Sequence, residues 1–278
     1  MRKIKIVADS SSNVLQLKHV AFASAPLKIV TAEREFTDDA TLDVDEMVDY
    51  LDKYKGRSKT SCPNVNDWLA AFGDADDIFC VTITGALSGS YNTACAAKAQ
   101  YEAENEGKRV FVLDTLSTGP EMQLVIEKLE DYIGRGMDYE EICGRIGRYL
   151  KKTGVVFMLK SMKNLANNGR VSPIVAKIAG FIGICATGKG SEQGTLEAGR
   201  KCCGEIRALE ALVAMLERFG LSKGRVSIAH CQNESGAKRL KELLQARFRQ
   251  AKIEIHKCRG LCSFYAEKGG LIAGFEKM

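Results

Sequence analysis

No apolar run in this chain of 278 residues approaches the roughly 18 residues that a membrane-spanning helix needs, which excludes an integral helical membrane protein. The opening Met1-Arg-Lys-Ile-Lys-Ile-Val-Ala-Asp9 has too short an apolar stretch for a signal peptide and reads as a strand, so the expected location is the cytoplasm, with no stable membrane insertion. No C-x-x-C pair exists among the ten cysteines. Cys202 and Cys203 are adjacent, Cys258 and Cys262 are separated by three residues, and Cys80 lies in the apolar Ile78-Phe-Cys-Val-Thr-Ile83. Such cysteines behave as small buried hydrophobes and are expected to be thiols. Histidines are scarce as well, only His19, His230 and His256, and none stands in a zinc-ligand spacing with paired cysteines, so no metal site is expected.

Nucleotide signatures are also missing. No G-x-G-x-x-G follows the first apolar segment, where Asp9-Ser-Ser-Ser12 reads as a helix cap or a turn. Gly183-Ile-Cys-Ala-Thr-Gly-Lys-Gly190 falls short of a P-loop, because Gly190 stands where the magnesium-binding hydroxyl belongs; no clear apolar strand runs into it, and Gly194 with its polar neighbours reads as a turn. The nucleophile elbow G-x-S-x-G is broken at both glycines in Ala86-Leu-Ser-Gly-Ser90. Hence no cofactor is expected. The balance of 40 Lys+Arg against 35 Asp+Glu leaves a net charge of only +5, and the cations alternate with acids along helices, as in Glu210 to Arg218. That is a solvated helix face rather than the clustered basic surface of a nucleic-acid binder.

What the chain does contain is alternation. Strands are expected at 4–7, 26–30, 78–83 and 109–113, and helices at 45–51 (capped by Asp43 or Asp45), 66–72, 91–104 and 121–134. Strands alternating with helices argue for a parallel sheet flanked by helices, whose ligands sit beyond the carboxyl ends of the strands. The second half is expected to hold helices at 139–152, 205–219 and 235–250, strands at 154–159, 225–229, 252–256 and 271–275, and a helical stretch over 161–169 that stops at a glycine turn, with glycines punctuating 180–199. The fold class is therefore α/β with two α/β domains, residues 1–152 and 153–278. The first carries the parallel sheet, the second a mixed or antiparallel one, with a ligand between them.

Two expected strand-end loops are dense in hydroxyls, Lys59-Thr-Ser-Cys-Pro63 and Gly85-Ala-Leu-Ser-Gly-Ser90. Small hydroxyls beside a glycine can hold an anion, or they can simply cap the helices that follow. A hydrolase or transferase using Ser88 or His230 is the alternative chemistry.

In order along the chain stand Asp9-Ser10, Thr60-Ser-Cys-Pro63, Leu87-Ser-Gly-Ser-Tyr91, Asp114-Thr-Leu-Ser117 with Gly119, and Asn168-Gly-Arg-Val-Ser172. Together these resemble the DegV family of bacterial fatty-acid-binding proteins, from residue 3 to about 275. The resemblance implies a non-enzymatic carrier with a long-chain fatty acid between two domains. Its carboxylate would be held by Thr60, Ser61 and Ser88, beside Gly89, and the acyl chain by a pocket of the second domain. It further implies a possible partner, a separate fatty acid kinase, with Arg170 and Arg200 on the phosphate or partner side. One departure is clear. Where the family commonly has a histidine followed by x-G-P-G, this chain reads Tyr265-Ala-Glu-Lys-Gly269, and the lysine-proline often found mid-domain is missing around Gly183-Ile184. Tyr265 can still donate a hydrogen bond but stays neutral near pH 7, which weighs against the kinase hand-over while leaving the hydroxyl pair intact.

Overall fold

The computed structural model describes residues 2–172 and 183–277. Three of the expected apolar runs become β1 (Ile4–Asp9), β6 (Asp77–Thr82) and β7 (Arg109–Asp114). With β2 (Ala21–Ala25) they form a sheet in the order β2-β1-β6-β7, parallel throughout. The expected strand at 26–30 is divided between two sheets. Pro26 has no N–H to give a ladder, so β2 ends at Ala25, opposite Asp9, and β3 (Lys28–Val30) starts beyond it. β3 is the centre of a small antiparallel sheet, flanked by β4 (Glu35–Thr37) and β5 (Lys59–Ser61). Lys59–Ser61 is thus an edge strand, not a loop at the end of a parallel strand.

The helices follow local chemistry. Asp43 accepts from the Glu46 amide at 2.9 Å to start α1 (Val44–Lys53). Asn64 and Asp67 bond each other's amides reciprocally at the start of α2 (Val65–Phe72). α3 (Ser90–Glu104) buries Ala94, Ala97 and Tyr101. α4 (Pro120–Gly134) is apolar on several sides because it is enclosed: it packs on β1 and β6 and also on the second large sheet. α5 (Tyr139–Leu150) lies beside it.

That second sheet contains β8 (Thr153–Leu159), β9 (Ile184–Gly190), β10 (Leu196–Cys203), β11 (Arg225–His230), β12 (Lys252–Lys257) and β13 (Leu271–Glu276). Its order is β10-β9-β8-β13-β11-β12, with β11–β12 parallel and every other pair antiparallel. The incomplete P-loop is therefore a strand: β9 and β10 make a hairpin closed at Ser191–Gly194. Gly, Thr and Lys disguise both strands, since these residues do not give the apolar alternation by which strands are read. Gly180, in the glycine-punctuated stretch, lies outside the described residues. α6 (Lys163–Asn167), α7 (Glu205–Arg218) and α8 (Glu234–Arg247) fall where helical spacing placed them, and α9 (Gly260–Ala266) does not appear in that spacing.

Each large sheet draws its strands from one side of residue 152, while the apolar packing crosses that point. Ile29, Phe36, Met47 and Val48 share one core cluster with Val155, Phe157, Leu159 and Phe264. The small sheet and α1 thus rest on the six-stranded sheet. All ten cysteines are unpaired thiols, and no helix among the described residues is long and apolar enough to cross a membrane.

Three buried carboxyls tie these layers together. Asp9 accepts from Ile83 N at 2.8 Å, Ser90 Oγ at 2.6 Å, and both the amide and hydroxyl of Ser11. Asp38 accepts from the Gly260 and Leu261 amides, each at 2.8 Å, which anchors the start of α9 to the segment after β4. Glu121 takes hydrogen bonds from Ser117 Oγ and, at 2.6 Å, from Thr153 Oγ1. Burial pushes all three above the usual carboxylate range, against the opposing pull of their donors. A raised carboxyl holds its proton more tightly folded than unfolded. Its contribution to stability is full below the ordinary carboxylate range and is lost as pH rises through the raised value. His230, held below its usual value by burial, works in the opposite direction on acidification, so the test is differential. Glu121→Gln is expected to gain stability relative to the native chain on going from about pH 4, below the ordinary glutamate value, to about pH 8.5 in urea denaturation. A pH-independent difference would contradict this.

Candidate functional site

Val155, Phe157 and Leu159 alternate along β8 and share one face, while Val156 and Met158 point into the opposite core. That face does not close fully against the parallel sheet's carboxyl edge. It floors an apolar channel whose other walls include Ile83, Leu261 and Ile272. The channel has about 760 Å³ of space, its opening to solvent included. Its wall is almost wholly apolar, and its polar side chains are few: Thr60, Ser88, Thr118, Arg170 and Tyr265.

Four of these arrive from four different elements. Thr60 sits on β5, paired with Ile29 across the ladder. Ser88 lies in the loop after β6, which Asp9 fixes at both ends through Ile83 and Ser90. Arg170 follows the expected glycine turn. Gly169 takes a φ of +73°, and the Arg170 amide returns to Leu165 O at 2.8 Å. Tyr265 is on α9. Its hydroxyl and Thr60 Oγ1 are 2.8 Å apart and hydrogen-bonded, and the Arg170 guanidinium lies 5.9 Å from its ring centroid. Arg170 Nε donates to Leu87 O at 3.2 Å, which ties it to the Ser88 loop. Burial raises the Tyr265 hydroxyl above its usual value, with Thr60 and the positive Arg170 pulling the other way. It is thus a neutral donor at physiological pH. Ser88 Oγ accepts from the Ser90 amide at 3.3 Å, so it faces the channel and also braces the turn into α3. Neither Thr60 nor Ser88 is the residue that caps a helix: Asn64 and Gly89 hold those positions.

The other residues singled out from sequence lie apart. Ser61 is exposed, with its hydroxyl on Cys62 O at 3.3 Å. Gly89 is exposed too, and neither lines the channel. Arg200 is exposed on the edge strand β10, its backbone bonded to Thr187 Oγ1. Arg170 stands in the channel wall rather than on an outer face. His230 accepts from the Asn233 amide through Nδ1 at 3.3 Å and lines a separate polar cleft with Asp45, Glu234 and Lys257. It does not meet Ser88, because the two residues line different cavities, so a Ser88–His230 pair is not assembled. Among the described residues no group of His, Cys, Asp and Glu could hold a metal ion. Glu267 occupies a left-handed conformation, φ +53°, where the family pattern has glycine. Its carboxylate accepts from the Asn164 amide at 2.9 Å and so caps α6, which leads to Arg170.

An apolar channel between a parallel and a mixed sheet, with hydroxyls and one guanidinium in its wall, has the chemistry to hold an amphiphilic acid. Comparison with known proteins agrees with this architecture. A family model described as uncharacterised protein, DegV family, matches residues 3–276, and the chain belongs to the DegV family. A DegV domain-containing protein of Streptococcus pneumoniae is 41% identical over 276 residues, covering 98% of each chain. The structure of a DegV family protein from Eubacterium eligens loaded with heptadecanoic acid superposes with a TM-score of 0.97 at 43% identity, covering 99% of this chain and 100% of that one. The Streptococcus pneumoniae fatty acid kinase (Fak) B3 protein loaded with linoleic acid gives a TM-score of 0.97 at 40% identity, with the same coverage.

Tyr265→Phe isolates the Thr60–Tyr265 hydrogen bond. The ring keeps its edge contact with Phe264, whose centroid is 4.8 Å away, and Thr60 loses its partner. The expected cost is about 1 kcal/mol in denaturant unfolding. An unchanged midpoint would show that the Thr60–Tyr265 contact contributes nothing to stability.

Proposed function

We propose that this chain binds a long-chain fatty acid without chemically altering it, with the acyl chain in the apolar channel and the carboxylate at Thr60, Ser88 and Tyr265. The observation that carries this reading is the convergence of those three hydroxyls with Arg170 on a channel that is otherwise apolar. The fatty acids in the two neighbouring structures support it. Affinity comes mainly from the chain. At about 0.8 kcal/mol per buried methylene, a sixteen-carbon acid offers on the order of 11 kcal/mol, a large part of which is offset by ordering and association. Each hydroxyl bonded to an ionised carboxylate adds roughly 1.5–3 kcal/mol and fixes the register of the chain. Arg170 supplies the compensating positive charge that a carboxylate leaving water requires. We assign Ser61 and Gly89 to shaping the two loops, the first beside Thr60 and the second beside Ser88.

The division into residues 1–152 and 153–278 fits this scheme, with Ser88 and Thr60 from the first part and most of the channel floor from the second. Hand-over of the bound acid to a separate fatty acid kinase is the corresponding partner role, and the Fak B3 likeness supports it. Exposed Arg200 is the basic residue placed for such a partner, and Arg170 would face the transferred head group. A cytoplasmic carrier also fits ten unpaired thiols, which an oxidising compartment tends to pair.

Ser88→Ala and Thr60→Val are expected to leave the chain folded and each to weaken hexadecanoate binding about tenfold or more in calorimetry, one lost charged hydrogen bond being worth that much. Unchanged affinity in both variants would refute the head-group assignment. Failure of the native chain to bind any fatty acid would refute the function.

A further inference from the structure

The glycines of the incomplete P-loop have no phosphate to cradle. Gly188 and Gly190 lie in β9, hydrogen-bonded between β8 and β10, and their amides belong to the ladder. What they supply is missing bulk. Phe157 pairs directly with Gly188 across the β8–β9 ladder. A Cβ on Gly188 would stand 2.2 Å from Phe157 Cζ and 2.5 Å from its Cε2, so the ring occupies the place of the absent side chain. A Cβ on Gly190 would stand 2.8 Å from Val155 Cγ1. Both glycines are two residues apart and share a face of the strand, and both neighbours, Val155 and Phe157, form the channel floor. The large β8 side chains therefore lean sideways over β9 instead of standing up into the channel.

We infer that Gly188 and Gly190 determine which acyl chains the channel accepts, by giving Phe157 and Val155 room to lie flat. This rests on the fatty-acid reading above and specifies its selectivity. With a side chain on β9, the floor residues are displaced toward the nearest empty volume, which is the channel. Depth available to the ligand is then lost, and long chains lose more than short ones.

Gly190 is the cleaner probe. Among the described residues Val155 Cγ1 is the only atom within 4 Å of its Cβ position, apart from its own chain neighbours, whereas a Cβ on Gly188 also meets the Glu197 carbonyl oxygen at 2.6 Å. The experiment measures dodecanoate and octadecanoate affinity by calorimetry for the delipidated full chain, Gly190→Ala, and Gly190→Ala combined with Val155→Ala. Excluding about two methylenes corresponds to roughly tenfold. Gly190→Ala is expected to weaken octadecanoate about tenfold more than dodecanoate, and the added Val155→Ala to return the ratio to within about threefold of the native one. Equal loss for both acids overturns the inference and leaves Gly190 a purely structural residue. So does a double variant that fails to fold, since Val155 would then not be the obstruction. Absence of binding by the native chain overturns the fatty-acid reading itself, a result distinct from length-independent loss in the variant alone.

Discussion

In the channel wall a hydrogen bond joins two distant parts of the chain: Thr60 Oγ1 and the Tyr265 hydroxyl, 205 residues apart in sequence. It exists only because the small β4-β3-β5 sheet is seated on the six-stranded sheet. That seating is made by Ile29, Phe36, Met47 and Val48 in the core and by Asp38, whose carboxyl receives the first amides of α9. Remove the seating and Thr60 has no reason to share a channel wall with Ser88. The channel is thus a consequence of packing between elements distant in sequence. It is an apolar surface that the parallel sheet's carboxyl edge covers without filling.

Polar groups inside this apolar arrangement are few, and the buried carboxyls among them are hydrogen-bonded locally. Asp9 illustrates the economy. Fully buried, it takes four hydrogen bonds, two of which hold the beginning and end of the loop carrying Ser88. A carboxyl that does not itself line the channel therefore sets the position of a hydroxyl in its wall. Glu267 does the same for Arg170 through α6, at the cost of a left-handed backbone that a non-glycine residue adopts reluctantly. Tyr265, standing where the family pattern has histidine, makes the mouth neutral on that side and leaves Arg170 as its positive charge. Binding at this mouth should accordingly respond to the ionisation of the acid rather than to that of a histidine.

Much of the architecture was legible from residues alone, and the reasons are specific. β1, β6 and β7 are apolar runs with turn residues after them, and Asp43 and Asn167-Asn-Gly169 mark helix ends by ordinary capping chemistry. The three-residue strands β3, β4 and β5 carry too little pattern to be seen, which is why Thr60 read as a loop residue. β9 and β10 were hidden because the glycines that make room for Phe157 and Val155 also erase the strand's alternation. The hydroxyl pair came from a resemblance supported by motif order. The place of Arg170 in the channel wall did not, because the turn at Gly169 fixes where the chain goes next only once α6 is docked.

The most direct measurement is a crystal structure of the full chain grown with hexadecanoic acid. The expected result is an acyl chain along Val155, Phe157 and Leu159, with its carboxylate about 3 Å from Ser88 Oγ and from Thr60 Oγ1 or the Tyr265 hydroxyl. An empty channel, or an acid bound with its carboxylate among the leucines and its methyl end at Ser88, would contradict the account.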